Sequence, residues 1–228
     1  GLSLRNSTNF GEAMATITAQ VIIDKARTQL GDTEGVVGTQ YLVTDLLKYL
    51  NEGQREIVKL DPQANVTRAS VQMASGTVQD LPTGSIGLID IIRNMGIAGT
   101  TPGKIVRKIE RYILDGIIPD WHEATSATPT TFYVYDSQVN RLKYEIYPPA
   151  PQPGIQNHYL EILHSAIPGD IVIGATILDD RYDSDLLDYM LYRAKSMHAE
   201  YAGGSGEAPM HLQKFVASVA AKTPQKKG

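Results

Sequence analysis

The chain of 228 residues contains no cysteine, a single tryptophan and three phenylalanines. Without thiols it can form no disulfide, no Cys-ligated zinc site, no thiol redox couple and no cysteine nucleophile. An excess of positive charge is also missing. Twenty-one Lys and Arg stand against 25 Asp and Glu, a formal charge of -4, so no global positive field draws the chain onto nucleic acid or an anionic membrane. Long apolar runs are absent as well: Leu88-Ile89 and Ile91-Ile92 are split by Asp90, far short of the ~20 residues a membrane helix needs. The N-terminus lacks the basic region and apolar stretch of a secretory signal. What remains is 42% hydrophobic and 20% charged residues, the balance of a globular protein of one or two domains. A chain this long buries roughly 70% of its unfolded surface, enough for a core without metals or cross-links.

Residues 1–13 are polar, rich in Gly, Asn and Ser, and aperiodic. They read as a flexible arm or a foreign leader, with Met14 as a plausible natural start and residue 15 as the boundary. From there Ile17, Val21, Ile22, Ala26 and Leu30 fall at helical spacing, closed by Gly31-Asp32. Leu46, Leu47, Leu50, Gln54, Ile57 and Val58 repeat in the same way until Asp61-Pro62 ends the pattern. The period then becomes two, through SIGLIDIIRNMG, TFYVYD, RLKYEIYP and NHYLEILHS. Within that part only residues 109–117, IERYILDGI, look helical, with Trp121 expected to pack them onto a sheet. PPAPQPG, residues 148–154, reads as a stiff hairpin loop joining two strands. Helical spacing returns with Leu186, Leu187, Met190, Leu191, Ala194 and Met197, breaks at Gly203 to Gly206, and resumes to about Ala221. The expected fold is therefore α+β: a discontinuous helical bundle, residues 16–62 and 179–221, with an antiparallel β-rich domain, residues 63–178, inserted, and a tail over 222–228.

Signs of chemistry are sparse. His122, His158, His164, His198 and His211 form no HExxH or similar ligand spacing. His158 and His164 share a strand parity but stand ~20 Å apart along a strand, too far to clamp one metal. GTTPGKI, residues 99–105, misses the phosphate-loop pattern twice, having Ala98 for the first Gly and Ile105 for Ser or Thr; a turn between strands is the better reading. The acidic cluster Asp179, Asp180, Asp183, Asp185 and Asp188 could hold a cation or supply a glycosidase acid pair, yet carboxylates at a helix start more simply cap free amides. No catalytic, cofactor-binding or metal residue is assigned, and no cofactor is expected.

Three stretches, YLNEGQREIVKLDPQANV from Tyr49, LPTGSIGLIDIIRNMG from Leu81 and LLDYMLYRAKSMHAEYAG from Leu186, resemble, together with YPPAPQPG, the head-to-tail adaptor (connector) proteins of tailed bacteriophages. The likeness runs from about Ile17 to Ala220. It departs before the second helix, where the family usually has Trp and a polar cap and this chain has Tyr41-Leu42. The resemblance implies a non-enzymatic virion protein of the head-tail interface, assembled in the bacterial host cytoplasm. It implies a homo-oligomeric ring, commonly a dodecamer, with the portal protein on one face, tail or nozzle proteins on the other, and DNA passing through the lumen without sequence preference. A closed head-to-tail ring needs two different complementary surfaces per subunit, and net negative charge suits a lumen from which phosphate must slide freely. In related adaptors the C-terminus is similar to a portal-docking segment, which here would be Lys222, Pro224, Lys226 and Lys227. The alternatives are a virion-associated cell-wall glycoside hydrolase using carboxylates among Asp179–Asp188 or Glu110, and another tail-tube or head-completion protein.

Overall fold

The computed structural model describes residues 15–32, 41–202 and 207–223, the side chains of 198–202 excepted. The chain divides into two compact units, one made of residues up to Leu60 and from Pro168 onward, the other of Asp61–Ile167. The class is α+β, with helices at the two ends of the chain and the β part inserted between them. The expectations for residues 1–13, and for Pro224, Lys226 and Lys227, lie outside the described residues.

The helical unit contains α1 (Ala19–Gln29), α2 (Val43–Leu60), α4 (Asp183–Ala202) and α5 (Glu207–Lys222). Helix α1 presents Ala19, Ile22, Ile23 and Ala26, all fully buried, while Val21 is 43% exposed. The buried stripe is thus rotated from the expected Ile17–Val21–Ile22 line, because Ile17 lies ahead of the helix and accepts the Ile177 N–H at 2.9 Å. Gly31, at φ +71°, closes α1, letting the Asp32 N–H reach back to the Arg27 carbonyl at 2.9 Å. Helix α2 starts directly after Leu42, whose carbonyl accepts the N–H groups of Asp45 and Leu46. It buries Leu46, Leu50, Ile57 and Val58. Gly53 lets it approach α4 closely, since a Cβ there would meet Leu186 and Tyr189 at 3.1 Å. Helices α4 and α5 complete the core with Leu186, Met190, Leu191, Phe215 and Val219, each side chain removed from water being worth ~1.5–3 kcal/mol.

The β unit holds two sheets. One has the order β1 (Val66–Gln72), β7 (Tyr159–Ala166), β3 (Ser85–Asn94), all antiparallel. The other runs β2 (Gly76–Asp80), β6 (Lys143–Ala150), β5 (Phe132–Val134), β4 (Arg107–Lys108), with β4 parallel to β5 and the rest antiparallel. Leu88 and Ile91 from β3, Leu160 and Ile162 from β7, Tyr133 from β5 and Tyr144 and Ile146 from β6 form one shared core. Successive β5 residues point to opposite faces, so Phe132 and Val134 join a second cluster with Leu114 and Trp121 on the outer face of the second sheet. That cluster seats helix α3 (Arg111–Ile117), as Trp121 led us to expect.

Two expectations are corrected. PPAPQPG is not a hairpin loop: Pro148, Pro149 and Ala150 finish strand β6, proline's fixed φ suiting an extended chain, and residues 151–158 cross to β7 in the other sheet. The β-rich part also ends sooner than residue 178. Residues 168–178 belong to the helical unit, where Thr18 bridges Thr176 and the Ala19 N–H reaches the Ala175 carbonyl at 2.9 Å. The segment turns at Gly174, φ +89°, and touches the chain ahead of α1 through the single bridge at Thr176.

Candidate partner-binding surfaces

The polar residues on the buried face of α2 act on that returning segment. Asn51 donates through Nδ2 to the Ile171 carbonyl at 3.1 Å and accepts the Ile171 N–H at 3.0 Å. Gln54 accepts the Leu178 N–H at 2.8 Å and donates to Asn51 Oδ1 at 3.3 Å. Both amides are buried. The Asn-Glu-Gly-Gln part of the first family-like stretch is therefore a clasp, with Gly53 giving the room between α2 and α4.

The acidic cluster at the start of α4 is distributed over separate partners. Asp179 accepts the Arg181 N–H at 2.9 Å, capping a short 3-10 turn. Asp180 accepts from Thr16 N, Thr16 Oγ1 and Ile17 N at 2.9, 2.6 and 2.9 Å, and these donors, the Thr16 hydroxyl foremost, hold its carboxyl below the usual range. Asp183 pairs with Lys25 at 3.1 Å, Asp188 with His211 at 2.7 Å, and Asp185 with Lys222. The cluster thus ties the segment before α1, α1 itself and the end of α5 to one end of α4. Glu110 precedes α3 in the other unit and makes no side-chain cap bond. Among the described residues no group of three His, Asp or Glu is placed to hold a metal ion.

Lys222 is the last residue of α5 and so lies within the helix that was expected to stop at Ala221. Its ammonium donates to the Arg181 carbonyl at 2.7 Å and to the buried Asp185 carboxylate. Its side chain is engaged within the chain, anchoring the helix from which the tail leaves.

The histidines are dispersed. His122 stacks on Trp121 with ring centroids 3.6 Å apart, and the side chain of His198 lies outside the described residues. His158 and His164 are both buried; His158 Nε2 lies 2.7 Å from Thr130 Oγ1 and His164 Nδ1 2.8 Å from Ser85 Oγ. Burial pushes both imidazoles below the ordinary histidine value. The folded unit therefore favours the neutral rings, and the stabilisation is complete above the unfolded pKa of about 6.5 and lost as pH falls through the folded values. Urea midpoints followed by far-UV circular dichroism are expected to fall between pH 7.5 and pH 5.5, above the carboxylate range, each unit of pKa difference being worth ~1.4 kcal/mol. His158→Gln with His164→Gln should flatten that slope; an unchanged slope would contradict the linkage.

The GTTPGKI segment is a turn between β3 and β4. Gly99 has φ +74°, its carbonyl accepts from Ser70 Oγ at 2.7 Å, and a Cβ would come within 2.9 Å of the Tyr159 ring. A shallow cleft of about 310 Å³ in the β unit is lined by Val78, Arg111, Val134, Lys143, Tyr144 and Glu145 among others. Its two cations are already matched, Arg111 with Glu145 and Lys143 with Asp80, while Glu110 and Asp136 on the same lining have no ion pair among the described residues. The second sheet also carries outward apolar side chains that periodicity did not reveal: Ile105 ahead of β4, and Tyr112 and Ile117 on α3 are all well exposed. The available signal was that the apolar residues of IERYILDGI, Ile109, Tyr112, Ile113, Leu114 and Ile117, are spread over more than one face of a helix.

No helix among the described residues is long and apolar enough to cross a membrane. Carboxylates spent on tying segments together, and apolar groups turned to solvent, suit a protein that works by contact. The SU10 adaptor protein family model matches residues 17–227, through both units. The chain belongs to that family of bacteriophage head-to-tail adaptors, and so to the structural proteins of the virion. None of the curated proteins matches it.

Proposed function

We propose that the chain forms a ring between the portal and the tail of a tailed bacteriophage, commonly as a dodecamer, and that the genome passes through its lumen during packaging and ejection. The observation that carries this reading is the family match over residues 17–227. Such a ring needs two different complementary surfaces between neighbouring copies and further surface for the portal and for tail or nozzle proteins, and the helical and β units of the chain offer surfaces of different character. The particle is assembled in the host cytoplasm. Lys222 fixes the root of the C-terminal segment on Asp185, and Pro224, Lys226 and Lys227 carry the docking to the portal, each copy adding weakly to a multivalent whole. The hydrolase alternative has no observation in its favour, since Asp179, Asp180, Asp183, Asp185 and Asp188 each hold a partner in the helical unit.

Co-sedimentation with isolated portal rings tests the reading. The full chain should bind, and a chain ending at Thr223 should bind at least about tenfold more weakly, the scale expected when a repeated contact is removed. Equal binding by the truncated chain would contradict the role of the tail. No binding by either would contradict the adaptor reading itself.

A further inference from the structure

The charges of the β unit are unevenly satisfied. Arg68, Arg93, Arg111 and Lys143 are each held by a carboxylate. Lys104, Arg107 and Lys108 are exposed and, among the described residues, have no ion-pair partner; Arg141 is the one other cation of this unit in that state. They surround Ile105, which is 63% exposed, on a segment that bridges the end of β3 at Ile105 and then runs on as β4, the outer strand of the second sheet. The residues that follow carry the opposite sign. Glu110, Asp115, Asp120 and Glu123 are exposed and likewise pair with no cation, and they surround Tyr112 and Ile117, 75% and 67% exposed. These side chains lie on α3 and the turn after it, which Trp121 seats on the outer face of the same sheet. The Trp121 indole N–H donates to Asp115 at 2.8 Å.

One chain therefore bears a cationic apolar strip at a sheet edge and an anionic apolar strip on a sheet face, neither satisfied by the other. From this complementarity we propose that the β4 edge of one copy docks on the α3 face of the next, resting on the ring reading above. The contact is heterologous, so it repeats head to tail and closes when the rotation allows. The isoleucines and Tyr112 supply the apolar centre, and the opposed charges set the register and the partner. A nucleic acid would answer to the cationic edge alone and would leave the acidic, apolar α3 face without a role.

Two charge reversals test this. One chain carries Lys104→Glu, Arg107→Glu and Lys108→Glu; the other carries Asp120→Lys and Glu123→Lys, sparing Asp115 because it holds Trp121. In sedimentation equilibrium at low ionic strength the unaltered chain should self-associate, less so in high salt. Each reversed chain alone should associate roughly tenfold or more weakly. An equimolar mixture should recover the association, because each edge then faces an opposite charge. Matching thermal melts for all chains establish that folding is intact. A mixture that stays dissociated, an unaltered chain that is monomeric throughout, or an edge reversal that abolishes DNA binding while leaving association untouched overturns the proposal. Immunodetection of the unaltered chain in purified particles is read alongside. Presence in particles with no recovery in the mixture overturns the contact and spares the adaptor reading, whereas absence from particles overturns that reading.

Discussion

Replacing Trp121 by alanine is expected to destabilise the β unit by about 3–5 kcal/mol, the range for emptying a large buried aromatic site. The side chain is fully buried among Leu114, Val134, Phe132 and Tyr147, and its N–H is matched by Asp115. No other element covers that face of the second sheet within this cluster, so the site cannot refill from its neighbours. The loss should appear in urea unfolding followed by circular dichroism, and the amides of α3 should lose hydrogen-exchange protection before those of β6 and β7. Trp121→Phe should cost less, about 1–2 kcal/mol, since it keeps most of the packing and gives up one hydrogen bond. A change below about 1 kcal/mol for the alanine variant would mean that α3 is not held by this side chain.

Asn51→Leu is expected to cost the helical unit about 2–4 kcal/mol although it adds apolar volume. The substitution leaves the Ile171 N–H and carbonyl and the Gln54 Nε2 group without the partners that Asn51 gave them, and each unsatisfied buried group costs ~1–3 kcal/mol. Because Asn51 and Gln54 act together, Gln54→Leu should be less than additive with it, as coupled neighbours are. Limited proteolysis should find residues 168–178 newly susceptible in the single variant. Stability equal to or above that of the unaltered chain would show that the segment is held by packing alone.

Why some of this was legible and some not follows from what each signal reports. Apolar spacing located α2 and α4 because a period of 3.6 marks a buried face. It even put Gln54 on the inner stripe of α2, although its partner, Leu178, is 124 residues away in sequence and no local pattern encodes it. In α1 the stripe was misplaced by counting Ile17, which is only half-buried and lies ahead of the helix, where its carbonyl accepts the Ile177 N–H. In the β unit a period of two gives faces and not neighbours. The strands were visible, but their division into two sheets, and the crossover between β6 and β7, were not. Strand β3 blurs even its faces, with register shifts at three places between Ser85 and Arg93. The acidic cluster was read as capping, which holds for Asp179, while Asp180 and Asp185 reach Thr16 and Lys222 from the far ends of the chain. The exposed strips around Ile105 and Ile117 were missed because spacing marks a buried face and does not say which of the remaining apolar residues the fold turns to solvent.

The central claim is that this protein acts by occupying one place in a particle. Locating an epitope-tagged copy in purified virions by electron microscopy of bound antibody tests that directly. The account predicts label confined to the single vertex where head meets tail, and its loss when the tailed particle is not formed. Label spread over the capsid surface or at the distal tip of the tail, or no label at all, would contradict it.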